Sequence, residues 1–275
     1  MNTEHQVAEH YTHGSLQQVI LDALKAMGKN PERFSAADLS TADELHLGWV
    51  PATVALAKDL RLAPGLHVLD VGCGLGGPAR YFAETHRCHV TGIDLTEEFV
   101  QVATELTRRC GLKGLVSFQQ GSALDLPFGG GAFDAATLIH VGMNIADKAK
   151  LFENVRRVLR PGALFGVYDA MRTGEGDLPY PMPWAMTDAT SFVETPETYR
   201  RLLGEAGFAI ESEEDRRDFV LELARERRAK AEKEGMPALN QQLLMGPSFR
   251  ERIGNVMASL ERGMVAPIQI IARAA

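Results

Sequence analysis

Cysteine is scarce. Cys73, Cys88 and Cys110 are the only three in 275 residues, and no two form a C-x-x-C pair. An odd number at such spacing argues against a disulfide framework and a thiolate zinc site, and it suits a reducing cytoplasm. No stretch approaches the roughly 18 consecutive apolar residues of a membrane helix. The opening MNTEHQVAEHYTHG has no apolar segment of the secretory type, so no leader is expected. Positive charge is in deficit, with a net charge of -7, which argues against broad binding to nucleic acid or anionic membranes. Internal repeats and low-complexity tracts are also missing. What remains is ordinary for a soluble chain, 45% hydrophobic and 24% charged. Its length suits one large domain, or a domain with a cap. His5, His10 and His13 are imaginable as metal ligands, but a mobile terminus or lid is the reading adopted, and no metal is expected.

Glycine, by contrast, is concentrated in His67-Val-Leu-Asp70-Val-Gly72-Cys73-Gly74-Leu-Gly76-Gly77-Pro78-Ala-Arg80. Val68, Leu69 and Val71 form a short apolar run suited to a strand covered on both faces. The glycines allow a sharp turn and close approach by a ligand. Pro78 suits the first turn of a helix, whose unpaired N–H groups face back towards the turn. Gly72, Gly74 and Gly77 satisfy G-x-G-x-x-G, and Asp94 follows at the distance expected of a ribose-binding acid, so a nicotinamide dinucleotide fits the pattern. Asp70 separates the readings. A carboxylate beside the crevice repels a pyrophosphate and suits an ammonium. The implied ligand is cationic at one end and carries a ribose at the other, as S-adenosylmethionine does.

Around this turn the pattern alternates. An apolar stripe at helical spacing runs from Leu16 to Met27. Ser35 and Asp38 read as a helix start, 43–49 as a turn, and roughly 50–61 as a helix. Strands are expected at 67–71, 88–94, 115–119, 133–139 and 163–168, with helices between them, which implies a parallel sheet with right-handed crossovers. Thr96 is expected to cap the helix that carries Phe99, Val102, Ala103 and Leu106. Residues 171–195, with Pro179, Pro181 and Pro183, break the rhythm as a long functional loop. A helix (196–206), a strand (208–214), a charged helix (216–234), another helix (248–262) and a buried strand at Ile268–Ala272 complete the chain. In 216–234, Phe219, Val220 and Leu223 can dock the first half of the helix, while the second half reads as a solvated face, its interleaved acids and bases arguing against nucleic-acid binding.

The string VLDVGCGLGG resembles the first motif of class I S-adenosylmethionine-dependent methyltransferases. Asp43-Glu-Leu-His46-Leu-Gly48, Gly-Gly-Pro-Ala-Arg80, His140-Val-Gly-Met-Asn144-Ile and Tyr180-Pro-Met-Pro-Trp-Ala185 together resemble the sarcosine/dimethylglycine N-methyltransferase group and its small-molecule relatives. The resemblance implies an α/β fold with a doubly wound, Rossmann-like, seven-stranded, mostly parallel sheet, its last two strands antiparallel. Residues 1–63 would form an N-terminal helical cap, 64–215 the cofactor-binding core, 216–262 a helical cap insertion and 263–275 the final core strand. The implied cofactor is S-adenosylmethionine, giving S-adenosylhomocysteine. Its site would comprise Asp70, Gly72, Cys73, Gly74, Gly76, Asp94, Leu95, Ser122, Ala123, Leu124, Ile139 and His140. Ser122 replaces the Asp usual in the family, and Trp49-Val-Pro51 replaces a more glycine- or arginine-rich string.

Tyr11, His46, Met143, Asn144, Tyr168, Arg172 and Trp184 are the candidates for the substrate chamber. Arg172 is either a partner for a substrate carboxylate or an exposed loop residue. His140 is either a general base or a packed residue touching adenosine. The expected activity is N-methylation of a small amine or amino acid in the cytoplasm, by a monomer or homodimer. The rivals are O- or C-methylation of a small natural product and non-catalytic binding of the cofactor.

Overall fold

The computed structural model describes residues 3–12 and 14–275, so the reading of His13 lies outside the described residues. The chain begins with four helices, α1 (Thr3–Tyr11), α2 (Leu16–Ala26), α3 (Ala36–Leu39) and α4 (Trp49–Asp59). Then come β1 (His67–Val71), α5 (Gly77–His86), β2 (His89–Asp94), α6 (Glu97–Arg109), β3 (Val116–Gln120), β4 (Phe133–Ile139), α7 (Lys148–Val158) and β5 (Leu159–Arg172). The remainder is α8 (Pro196–Glu205), β6 (Phe208–Asp215), α9 (Arg217–Glu234), α10 (Gln242–Met245), α11 (Phe249–Glu261) and β7 (Val265–Ala274).

The seven strands form one sheet in the order β3-β2-β1-β4-β5-β7-β6. Strands β1 to β5 pair in parallel, and β7 runs antiparallel to both β5 and β6. The alternation of side chains along β1 explains why both faces are covered. Leu69 and Val71 pack with Leu151, Phe152 and Val155 of α7, whereas Val68 packs on the other face with Leu56 of α4 and Phe82 of α5. The order of strands reverses between β1 and β4, and a crevice opens at the carboxyl ends of strands at such a switch point. The glycine turn follows β1 and the His140 loop follows β4, so both stand at that crevice.

Four elements depart from the expectations. Strand β5 runs to Arg172 because β7 pairs with it from Leu164 to Arg172. Strand β7 itself reaches from Val265 to Ala274, since partners on both sides satisfy its backbone. Residues 3–11 form a helix rather than a loose terminus, held by side-chain bonds to the crevice loops. Thr96 does stand at the helix start, but its side chain makes no capping bond. Ser35 and Asp38, in contrast, close a reciprocal capping box.

Between β6 and β7, α9 and α11 dock through Val220, Val256 and Leu260 against Leu47, Met143 and Trp184. Val220 is the one fully buried residue of α9, whose second half carries the interleaved charges in solvent. Among the described residues, no helix is long and apolar enough to cross a membrane.

Candidate active site

The turn after β1 is pinned to the end of β2. The N–H groups of Gly72 and Cys73 donate to the Ile93 carbonyl at 2.8 and 3.0 Å. Gly74 N–H donates to Oδ2 of Asp94 at 2.8 Å. The other carboxylate oxygen, Oδ1, accepts Thr96 N–H at 2.9 Å, just before α6 begins. Asp94 is thus bracketed by two backbone donors and still has lone pairs to offer to a ribose. The glycines serve different ends. A side chain at Gly72 would collide with Val141, and one at Gly76 with Phe118. At Gly74, whose φ is +52°, the nearest atom to an added Cβ would be Leu45 Cδ1 at 3.9 Å. That position faces open space, where a ligand can lie against the backbone.

The space is a cavity of about 340 Å³ at the switch point. Every cofactor residue expected from the sequence lines it except Gly76 and Ser122. Gly76 instead turns the chain into α5. Ser122 donates through Oγ to Glu4 and accepts Leu124 N–H at 3.0 Å, tying α1 to the loop after β3. Asp70 is almost fully buried. Its Oδ1 accepts a bond from Thr137 Oγ1 at 2.7 Å, and its Oδ2 has no partner among the described residues. Burial pushes the Asp70 carboxyl up to about 6 and also raises that of Asp94. A buried carboxylate with an unanswered oxygen fits the ammonium of S-adenosylmethionine. Asp94 fits its ribose, and the apolar wall of Ala123, Leu124 and Ile139 fits its adenine.

A second cavity, of about 1500 Å³, opens beside the first between the sheet and the cap helices. Tyr11, Leu45, His46, Phe99 and His140 line both. Leu221, Met236, Phe249, Ile253 and Met257 give the larger cavity an apolar wall, and charged residues of the solvent-facing half of α9, among them Arg225, Arg228 and Glu232, line its rim. Of the proposed substrate residues, Met143 and Trp184 line the larger cavity and Asn144 the smaller. Asn144 is also a junction. Its Nδ2 donates to the carbonyls of Trp184 and Thr190, and its Oδ1 accepts from the Tyr11 hydroxyl at 3.2 Å.

Tyr168 and Arg172 line neither cavity, which corrects their placement. The Tyr168 ring is buried beneath α4, with its hydroxyl against the backbone at Gly48. Arg172 is carried past the crevice by the longer β5, where its guanidinium bonds to the Gly176 carbonyl.

His140 has a left-handed backbone, φ +53°. Its Nδ1 lies 3.1 Å from the Tyr168 carbonyl and its Nε2 accepts Leu47 N–H at 3.3 Å. These partners place the proton on Nδ1 and occupy the one acceptor of the neutral ring. Burial lowers the imidazole to about 3. The arrangement suits a packed, neutral histidine better than a free base.

Sequence reasoning missed several parts of the site. Glu44 Oε2 lies 2.7 Å from His46 Nε2 and accepts Thr53 Oγ1 at 2.5 Å, all three being buried. Asp43 forms a buried ion pair with Arg80 at 2.6 Å, and Arg80 also bonds to the Leu75 carbonyl and Thr107. Together they lock residues 43–47 over the glycine turn. The signal was two adjacent acids and a histidine within an otherwise apolar string. Among the described residues, no three His, Cys, Asp or Glu are grouped to hold a metal ion. His5 instead lies beside Glu9, and His10 beside the Pro183 carbonyl.

Residues 69–167 match the family described as a methyltransferase domain. The O-methyltransferase resE of Aspergillus sclerotiorum is 31% identical over 188 residues, covering 66% of this chain and 70% of that protein. A sterol 24-C-methyltransferase of Gibberella zeae is 38% identical over 118 residues, covering 43% of this chain and 31% of that protein. The chain thus spans about a third of the length of that sterol relative. Among solved structures, the [4+2]-cyclase SpnF is 25% identical, with 81% and 80% of the two chains covered and a TM-score of 0.61. The geranyl diphosphate C-methyltransferase of Streptomyces coelicolor A3(2) shares the fold over 100% and 99% of the chains, at 17% identity and a TM-score of 0.73. The glycine turn, the two carboxylates, the strand order and these relatives converge: the chain belongs to the class I S-adenosylmethionine-dependent methyltransferases.

Proposed function

We propose that the chain transfers a methyl group from S-adenosylmethionine to oxygen or carbon of a large, mainly apolar acceptor. The observation that carries this reading is the cavity of about 1500 Å³ joined to the cofactor cavity. It exceeds the roughly 300–1,000 Å³ that encloses a drug-sized ligand. A small amine or amino acid would make few contacts in it, so its methyl acceptor atom would be poorly positioned. The relatives named for O-methyl and sterol C-methyl transfer point the same way.

The bound donor supplies a methyl carbon that is already electrophilic. The protein's main task is therefore to position two reactants, which can contribute several kcal/mol to lowering the barrier. Asp70 and Asp94 hold the donor at its charged end and its ribose. Leu45 and Phe99 line the junction with carbon and exclude water from it. Tyr11, anchored on Asn144, keeps α1 across the cofactor cavity. His140 keeps the strand-end loop in place through its bonds to Tyr168 and Leu47. A phenolate or an enolate that has already given its proton to solvent brings its own electron pair and needs no base at His140, whereas an alkene acceptor is left as a cation whose proton must pass to water or to another base.

The test is single-turnover transfer of a labelled methyl group to two panels. One holds small amines and amino acids, and the other large phenols, enols and alkenes. Label is expected in the second panel. Label confined to the first would restore the small-amine reading, and donor binding with no transfer to either panel would favour a non-methylating role.

A further inference from the structure

Arg252, near the start of α11, lines the larger cavity and is only 9% exposed. Lys and Arg are almost never buried to this degree without an acidic partner. Among the described residues, however, no carboxylate lies within ion-pair distance of its guanidinium. Its Nη2 is 2.8 Å from the thioether sulfur of Met186, a weak acceptor. Its Nη1 is 3.4 Å from His10 Nε2. That nitrogen also lies 3.4 Å from the Pro183 carbonyl, and it cannot accept from Arg252 while donating to Pro183. Among the described residues, Nε of Arg252 has no partner. The other arginine deep in this region differs in kind: Arg80 is answered by Asp43.

A desolvated guanidinium facing a cavity has donors in a planar fork that matches an oxyanion. Leaving those donors unanswered is costly. We propose that Arg252 seats an oxyanion of the methyl acceptor, a carboxylate or phosphate borne on an otherwise apolar body. The proposal rests on reading the larger cavity as the acceptor chamber. Burial lowers the basicity of Arg252, while the neighbouring Tyr11 opposes that shift. Arg252 faces His10, whose ring meets that of Tyr11 edge-on, and Tyr11 lines both cavities, so the anionic group lies near the junction rather than at the far end. The apolar remainder extends among Ile253, Met257 and Leu221.

The experiment is calorimetry on the full chain saturated with S-adenosylhomocysteine, using three amphiphiles of equal chain length: laurate, dodecyl phosphate and dodecanol. At least one anion is expected to bind about tenfold or more tightly than the alcohol, a difference on the order of one charge-assisted hydrogen bond. The tighter anion identifies the source of the oxyanion. Arg252→Gln should erase the preference, leaving dodecanol and S-adenosylhomocysteine affinities unchanged. Arg252→Lys should keep part of it, and that ratio carries the test should the Gln variant fail to fold. Equal binding of anions and alcohol in the wild type, an undiminished preference in either variant, or no amphiphile binding would overturn the proposal. Failure of the methyltransferase reading would show separately, as an intact Arg252-dependent preference in a protein that transfers no label.

Discussion

Replacing Asp94 by Asn separates two jobs done by one side chain. In the free protein the carboxylate accepts Gly74 N–H at 2.8 Å and Thr96 N–H at 2.9 Å. An amide has only one oxygen for these two donors. Its NH₂ must confront one of them, so one buried N–H loses its partner, at about 1–3 kcal/mol of stability. The ribose contacts then change from charge-assisted to neutral bonds. With charge-assisted bonds worth about 1.5–3 kcal/mol, losing the equivalent of one weakens donor binding roughly 10- to 150-fold. Thermal unfolding without ligand reads the first effect. Calorimetry with S-adenosylhomocysteine, at a temperature where both proteins are folded, reads the second. A folded Asp94→Asn variant that binds within about twofold of the wild type would refute the assignment of Asp94 to the ribose and leave it a loop-closing acid.

Three further outcomes are expected. Gly74→Val places a β-branched side chain at a positive φ in the cofactor space. S-adenosylhomocysteine binding should collapse in calorimetry while circular dichroism shows a folded chain, and undiminished affinity would remove the turn from the site. His140→Gln should slow single-turnover transfer by about tenfold or less, through misplacement. A loss on the order of 10²–10⁴ together with a vanished low-pH limb would instead make it the base. Asp70 has a carboxyl raised from 3.8 to about 6 by burial. Its protonated form is favoured in the empty site, so its contribution to stability is present at low pH and is lost as pH rises through about 6. Binding an ammonium needs the ionised form. Donor affinity should therefore rise between about pH 5 and 7, with release of protons, and Asp70→Asn should flatten the slope. A wild-type affinity that falls over that range would refute the role.

The sheet was legible because its information is local. Apolar runs bounded by glycine, proline and capping residues mark strands and helices, and the spacing of βα units leaves few topologies. The glycine turn was legible for the same reason: Gly72 to Pro78 is one continuous string that becomes one loop. The acceptor chamber was harder to read, because it is assembled from segments far apart in sequence. Arg252 meets His10 from the opposite end of the chain, and nothing near either residue announces the other. Asp43 and Glu44 read as turn acids because their partners, Arg80 and Thr53, come together only after folding. Arg172 was misplaced because the length of β5 depends on β7, which lies about a hundred residues later, and Tyr168 because its ring is covered by α4, a helix more than a hundred residues earlier.

The central claim is that the glycine turn and Asp94 hold S-adenosylmethionine rather than a nicotinamide dinucleotide. Calorimetric titration of the full chain with S-adenosylmethionine, S-adenosylhomocysteine and NAD tests it most directly. The account predicts that the first two each bind at one site per chain and that NAD gives no saturable heat. Tight NAD binding with no response to either adenosyl ligand would contradict it.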